Sequence, residues 1–190
     1  MAVEIERKFL VKGDSWRHEA AAERIRQGYL CSFADRAVRA RISGDRAFLT
    51  IKGAKSSVSR FEYEYGIPVE DAAEMLAFLC ERPLIEKIRH HVAANGREWV
   101  VDVFEGDNAG LVVAEVEFED EAQAIELPDW AGEEVTDDPR YYNVNLAKHP
   151  YRLWEKPLIR EAPPVHDSAA GQCYREHTAA RTDGDDVGRP

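Results

Sequence analysis

Three short acidic alternations constrain this chain more than anything else in it. Glu4 and Glu6 in "VEIERK", Glu62 and Glu64 in "FEYEY", and Glu115 and Glu117 in "VAEVEFE" each alternate with apolar or aromatic residues. On a strand, residues i and i+2 share a face about 6.7 Å apart, so each pair sets two carboxylates side by side. Basic residues follow the same grammar. Arg39 and Arg41 pair in "VRARI", Lys52 ends "LTIK", and Lys87, Arg89 and His91 share a face in "EKIRHH". Lys8 follows Glu6 on its face, and Asp102 stands between Val101 and Val103.

One wet face on an antiparallel sheet explains such alternation in any single strand. It does not explain the sorting of sign by strand, because a solvated face gains from mixing opposite charges. A site that must hold a cation and a polyanion together does explain it. The geometry expected is an inverted barrel, with apolar faces outward beneath helices and charged faces around a lumen. Dry burial would cost several kcal/mol per ion. Against a net stability of about 5–15 kcal/mol, the lumen must be hydrated and its charges mutually compensated.

The punctuation supports strands. "RIRQGYLCSF" (24–33), "RAVRARIS" (36–43), "RAFLTIK" (46–52) and "RFEYEYGI" (60–67) are separated by turns at Asp35 and "SGD" and by a looser "GAKSSVS". "IEKIRHHV" (85–92) and "REWVVDVF" (97–104) flank Asn95-Gly96, a strong hairpin signal. "LVVAEVEFE" (111–119) completes eight strands with the opening one, enough to close a barrel around one small ligand. The expected helices are a short one in "GDSWRHEAAA", one over 68–82 with an apolar stripe of Ala72, Met75, Leu76 and Leu79, a short one at 120–126, and one near 139–148. "LPDWAGEEV" is expected to be a loop. The fold class is α+β: a closed eight-stranded antiparallel β-barrel (a tunnel) with a charged lumen, covered by a few helices, over residues 1–160. Residues 161–190, rich in Pro, Gly, Asp and Ala, are expected to be a disordered tail.

With 190 residues, 44% of them hydrophobic, the chain suits one domain with a real core. A net charge of −11 argues against a general nucleic-acid binder. No apolar stretch approaches the roughly 20 residues of a membrane span. Three scattered cysteines and no signal-peptide pattern point to the cytoplasm. The oligomeric state is not legible. Clustered carboxylates without ligand-spaced Cys or His suit a hard divalent ion, Mg²⁺ or Mn²⁺. Several Arg and Lys on one cavity suit phosphate. Together they describe phosphoryl transfer to water.

These residues resemble the CYTH superfamily, the triphosphate tunnel metalloenzymes. "EIERK" is similar to that family's ExExK signature, and the likeness continues in order through "VRARI", "LTIKG", "FEYE", "EKIRH", the Asp102 strand and "EVEFE". "DPRYYNVNLA" (138–147) resembles the ending of short bacterial members. The resemblance implies a small polyanionic substrate and a metal side of Glu4, Glu6, Glu62, Glu64, Glu115 and Glu117. Asp102 is counted with those carboxylates and also fits orienting a cation. It implies a phosphate cradle of Lys8, Arg39, Arg41, Lys52, Lys87 and Arg89. Tyr29 resembles a tyrosine that pairs with a lysine to activate water, with Lys87 and Lys52 as the candidate catalytic lysines; the alternative for Tyr29 is a wall aromatic. Inorganic triphosphate is the first choice of substrate. Thiamine triphosphate, nucleoside triphosphate, class IV-type adenylate cyclisation and a non-catalytic polyphosphate-binding module stay open beside it. A carrier of apolar ligands is disfavoured by the acidic alternations.

Overall fold

The computed structural model describes residues 3–17, 21–33, 35–54, 59–120 and 123–154, with the backbone alone at 3–4, 54 and 59–60. The expected tail, 161–190, lies outside the described residues. Nine strands make one antiparallel sheet: β1 (Val3–Val11), β2 (Ala21–Ser32), β3 (Arg36–Ser43), β4 (Arg46–Ala54), β5 (Ser59–Ile67), β6 (Ile85–Ala94), β7 (Arg97–Phe104), β8 (Val112–Glu117) and β9 (Ala131–Glu134). Their spatial order is β5-β4-β3-β2-β6-β7-β8-β1-β9. Turn chemistry sets the hairpins. Gly44 at φ 58° joins β3 to β4, and Asn95 and Gly96 at φ 49° and 71° join β6 to β7 in the left-handed conformation a two-residue hairpin needs.

The sheet curls until β1 meets β5, but only Val3↔Phe61, Glu4↔Arg60 and Ile5↔Ser59 are paired there. β4 and β5, by contrast, pair from Ala47↔Ile67 to Ala54↔Arg60. The expected closed eight-stranded barrel is therefore corrected: the sheet has nine strands and does not close, because β1 and β5 pair only as far as Ile5. The ninth strand is the segment expected to be a loop. β9 pairs with Phe9 and Val11 of β1. It is pinned where the Lys8 amide donates to Thr136 Oγ1 (3.0 Å) and the Val135 amide donates to the Lys8 carbonyl (2.8 Å).

The main core lies on the convex face. Phe9, Val92, Trp99, Val101, Ala114 and Val116 point out of the curl and are covered by Trp16, Phe118 and Trp130. Trp99 meets Phe9 and Trp130 edge-on at 5.6 and 5.2 Å, a geometry that favours aromatic pairs. Trp16 sits in a single 3-10 turn (Ser15–Arg17), where a short helix is expected.

The expected 68–82 helix is shorter than its pattern. α1 (Val69–Glu74) passes into a π-turn over Met75–Leu79, closed by the Cys80 amide donating to the Met75 carbonyl at 2.9 Å. The extra residue in that turn rotates the stripe. Ala72 and Leu76 stay buried, but Leu79 is 65% exposed. Arg82 Nη2 donates to the Leu76 and Ala77 carbonyls at 3.0 and 2.9 Å and holds the turn.

Near the C-terminal end, a 3-10 turn (Pro139–Tyr141) leads into α2 (Asn143–Lys148). α2 is expected to cover an outward stripe. Instead its Leu146 and Ala147 pack with Tyr29, Ile85, Phe104, Leu111 and Val113, and four of these belong to the concave face, so α2 stops one end of the curl. Among the described residues, 123–126 are irregular rather than helical, and no helix is long and apolar enough to cross a membrane.

Candidate active site

The concave face is a sequence of charged rows fixed by strand register. Tyr29, Arg39, Thr50 and Glu64 face one another across β2, β3, β4 and β5. One row away, Ala37, Lys52 and Glu62 do the same. On the opposite wall Lys8 faces Glu115 and Glu6 faces Glu117, while Arg89 faces Asp102. These rows enclose a cavity of about 290 Å³, at the small end of the ~300–1,000 Å³ typical of ligand sites. Of the expected site residues, Glu6, Lys8, Tyr29, Arg39, Arg41, Lys52, Glu62, Glu64, Lys87, Arg89, Glu115 and Glu117 line it. A second cavity of about 500 Å³, lined also by His91, Arg97 and Glu98, shares Glu6, Arg89, Glu115 and Glu117 with the first. The Glu4 side chain lies outside the described residues.

The charges are paired. Lys8 Nζ reaches Glu6 Oε1 at 3.0 Å and Glu115 Oε1 at 2.5 Å. Burial opposes its charge, but Glu115 and Glu6 hold its pKa above the ordinary lysine value. Arg41 Nη2 donates to both oxygens of Glu64, at 3.0 and 2.9 Å. Lys52 reaches Glu62 at 2.5 Å. Thr50, fully buried, donates to Glu64 at 2.8 Å and accepts from Arg39 Nη2 at 3.3 Å.

Asp102, expected both with the metal-side carboxylates and as a residue that orients a cation, stands against two cations. It is fully buried and does not line the cavity. It accepts from Lys87 Nζ and, at 2.8 and 2.7 Å, from Arg89 Nε and Nη2. One carboxylate thus serves two cations, the buried Lys87 and the half-buried Arg89. Burial raises its pKa, yet Arg89 and Lys87 bring it below the ordinary value. An arginine does not give up its proton in a protein, so the strain falls on Lys87. Burial and the Arg89 charge push Lys87 down to about 8, against the pull of Asp102. Arg89 also donates to Glu115 at 2.8 Å. Lys8 and Arg89 hold Glu115 well below its usual range, although burial works the other way.

The donor set fits a hard divalent cation, as one wall rather than as a cage. Glu6 and Glu117 face each other across β1 and β8, with Glu115 alongside. No group of three or more carboxylate, His or Cys side chains among the described residues encloses an ion by itself. Water and phosphate oxygens would complete the sphere, as is usual for Mg²⁺.

Several cavity residues were not anticipated. Gln27, Ala37, Tyr142, Asn143 and Val144 also line it. Parity carried a signal for two residues: Gln27 shares the face of Tyr29, and Ala37 that of Arg39. Tyr142 and its neighbours carried none, since α2 reaches the site only through tertiary packing. His90 and His91 face opposite ways as expected. His90 meets Trp16 edge-on at 5.0 Å, and His91 Nδ1 lies 3.1 Å from Glu98.

The CYTH domain profile matches residues 2–151. An inorganic triphosphatase of Acetivibrio thermocellus is 49% identical over 156 residues, covering 82% of this chain and 100% of that protein. An inorganic triphosphatase of Nitrosomonas europaea is 43% identical over 150 residues, covering 76% of this chain and 96% of that protein. Among solved structures, the inorganic triphosphatase NE1496 superposes with a TM-score of 0.57 at 41% identity, over 77% of this chain and 95% of that one.

Proposed function

This chain belongs to the CYTH family, and from that premise we propose that it hydrolyses inorganic triphosphate to diphosphate and phosphate with a divalent ion, Mg²⁺ or Mn²⁺. The observation that carries the reading is the meeting of Lys8, Arg39, Arg41, Lys52, Lys87 and Arg89 on one small cavity. Phosphoryl transfer asks a protein mainly for positioning and charge stabilisation. Arg39, Arg41 and Arg89 offer planar forks to phosphate oxygens, and Lys8 and Lys52 add point charges. Glu6 and Glu117, with Glu115 beside them, would hold the ion, which neutralises phosphate charge when bound.

Water attacks the terminal phosphorus, the bond to the bridging oxygen breaks, and diphosphate departs with the electron pair. Lys87, neutral above about pH 8, accepts the water's proton, and Asp102 fixes its position. Tyr29 and Lys52, on the same cavity wall, orient the water. Among the described residues the aromatic lining is Tyr29 and Tyr142. Trp16, Trp99 and Trp130 lie in the convex core, and Trp154 meets Tyr141 and Tyr151 edge-on. That supports a substrate without a base or thiamine ring.

The test is phosphate release from tripolyphosphate, ATP and thiamine triphosphate, each with Mg²⁺ and Mn²⁺. Tripolyphosphate is expected to turn over fastest by at least tenfold in kcat/KM. Equal rates on all three would refute the substrate assignment. Tight binding without release would replace the enzyme with a polyphosphate-binding module.

A further inference from the structure

Gln27 is 1% exposed and lines the cavity, yet its Nε2 meets no hydrogen-bond partner. Its strand register puts it opposite Arg41 of β3 and Ile85 of β6, two residues from Tyr29 on the same face. Neither neighbour can accept from an amide NH₂: one is a cation and the other a hydrocarbon. Methionine would fill the volume without leaving a buried donor unmet, a lack that weighs on the empty fold. The same wall holds two more unmet donors, Arg39 Nε and Arg41 Nε. Three donor nitrogens on two adjacent strands await an acceptor that the protein does not supply.

We propose that Gln27 is a substrate-binding residue, donating its amide N–H to an oxygen of the triphosphate that Arg41 holds. The proposal rests on the triphosphatase reading above and adds a recognition element to it. A neutral donor gives direction without charge. Its share of the affinity therefore survives added salt, which weakens the contribution of surrounding cations. It binds ground state and transition state alike, so its loss is felt in KM rather than kcat.

Q27M and Q27E test this in three measurements: steady-state kinetics with tripolyphosphate, calorimetric binding of tripolyphosphate under a chelator, and thermal unfolding without ligand. For Q27M, KM and Kd are expected to rise roughly ten- to hundredfold, the range of one hydrogen bond to a charged group. Its kcat stays within about threefold, its Tm does not fall, and its fold-loss in Kd is the same at low and high salt. Q27E, which adds a charge of the wrong sign, loses more. Wild-type KM and Kd in Q27M would overturn the proposal, as would a lowered Tm accounting for the loss. A wild-type protein that binds tripolyphosphate without cleaving it refutes hydrolysis but leaves Gln27 to be judged by Kd. One that neither binds nor cleaves it overturns both.

Discussion

Replacing Asp102 by Asn tests the electrostatic logic of the site, because stability and pH dependence must then change together. Asp102 is the shared counter-ion of Lys87 and Arg89; Asp102 and Lys87 are buried and Arg89 is partly so. Removing one partner of a buried ion pair costs about 3–5 kcal/mol, because a charge is left without compensation. At about 2–4 °C per kcal/mol for a domain of this size, Tm should fall by roughly 6–20 °C. The sign of the pH effect is fixed separately. Burial and Arg89 lower the Lys87 pKa to about 8, while Asp102 raises it. Asn deletes only the raising influence, so the ammonium becomes still more acidic. A charge pair at about 4 Å contributes ~4 kcal/mol at an effective dielectric of 20, or roughly three pK units. The retained amide carbonyl and entering water offset part of this. The alkaline-rising limb of kcat/KM, which reports the free enzyme, should therefore move from near pH 8 to about pH 7 or below. The assay is a pH–rate profile on tripolyphosphate, with circular dichroism verifying the fold at each pH. A limb that stays in place or moves to higher pH would refute Lys87 as the titrating base. A Tm loss under about 3 °C, roughly 1 kcal/mol, would refute Asp102 as the counter-ion that holds this wall.

Gly28→Ala should be destabilising, since a Cβ there would stand 2.7 Å from Cys80 Cβ and Leu84 Cδ2 and 2.9 Å from Cys80 Sγ. Overpacking of this kind costs about 1–3 kcal/mol, and an unchanged melting temperature would show that α1 and its π-turn are looser than described. Glu6→Gln should cut activity at limiting Mg²⁺ by about tenfold, the scale of losing one ligand-shell contact, and raising the ion concentration should restore it. A loss that no concentration recovers would separate Glu6 from the ion.

The sequence was most legible where chemistry repeats at period two. Alternation in "VRARI" and "EYEY" identified the concave face, and Asn95-Gly96 located a hairpin with the backbone signs it requires. Legibility failed where tertiary contact overrides local preference. "AGEE" has no strand propensity of its own. It pairs because the edge of β1 at Phe9–Val11 is otherwise unmet, and because Gly132 lets the backbone approach the Leu10 carbonyl, 2.8 Å from where a Cβ would be. Leu79 fits a helical stripe by spacing, but a single π-turn shifts it into solvent. Asp102 resembled a ligand because residue type was visible and depth was not. The register of β6 with β7 sets it opposite Arg89, and its complete burial keeps it off the cavity.

The pairing inside the curl also says what kind of ligand it admits. Lys8 lies between Glu6 and Glu115, Arg89 between Asp102 and Glu115, Arg41 on Glu64, and Lys52 on Glu62. Such compensation lets a marginally stable fold carry so many ions, and it means that a ligand exchanges partners rather than filling an empty slot. An anion that drew Arg41 and Lys52 to itself would strand Glu62 and Glu64. A cation that took Glu6 and Glu115 would strand Lys8. Either alone gives back in stranded charge much of what it gains. A polyanion and a divalent ion entering together satisfy both sets, because the released cations turn to phosphate and the released carboxylates turn to metal. The cations come from β1, β3, β4 and β6 and the cavity carboxylates from β1, β5 and β8. Arg41 and Lys52 thus meet Glu64 and Glu62 on one wall while Lys8 and Arg89 meet Glu6 and Glu115 on the other, and each wall holds both partners of an exchange.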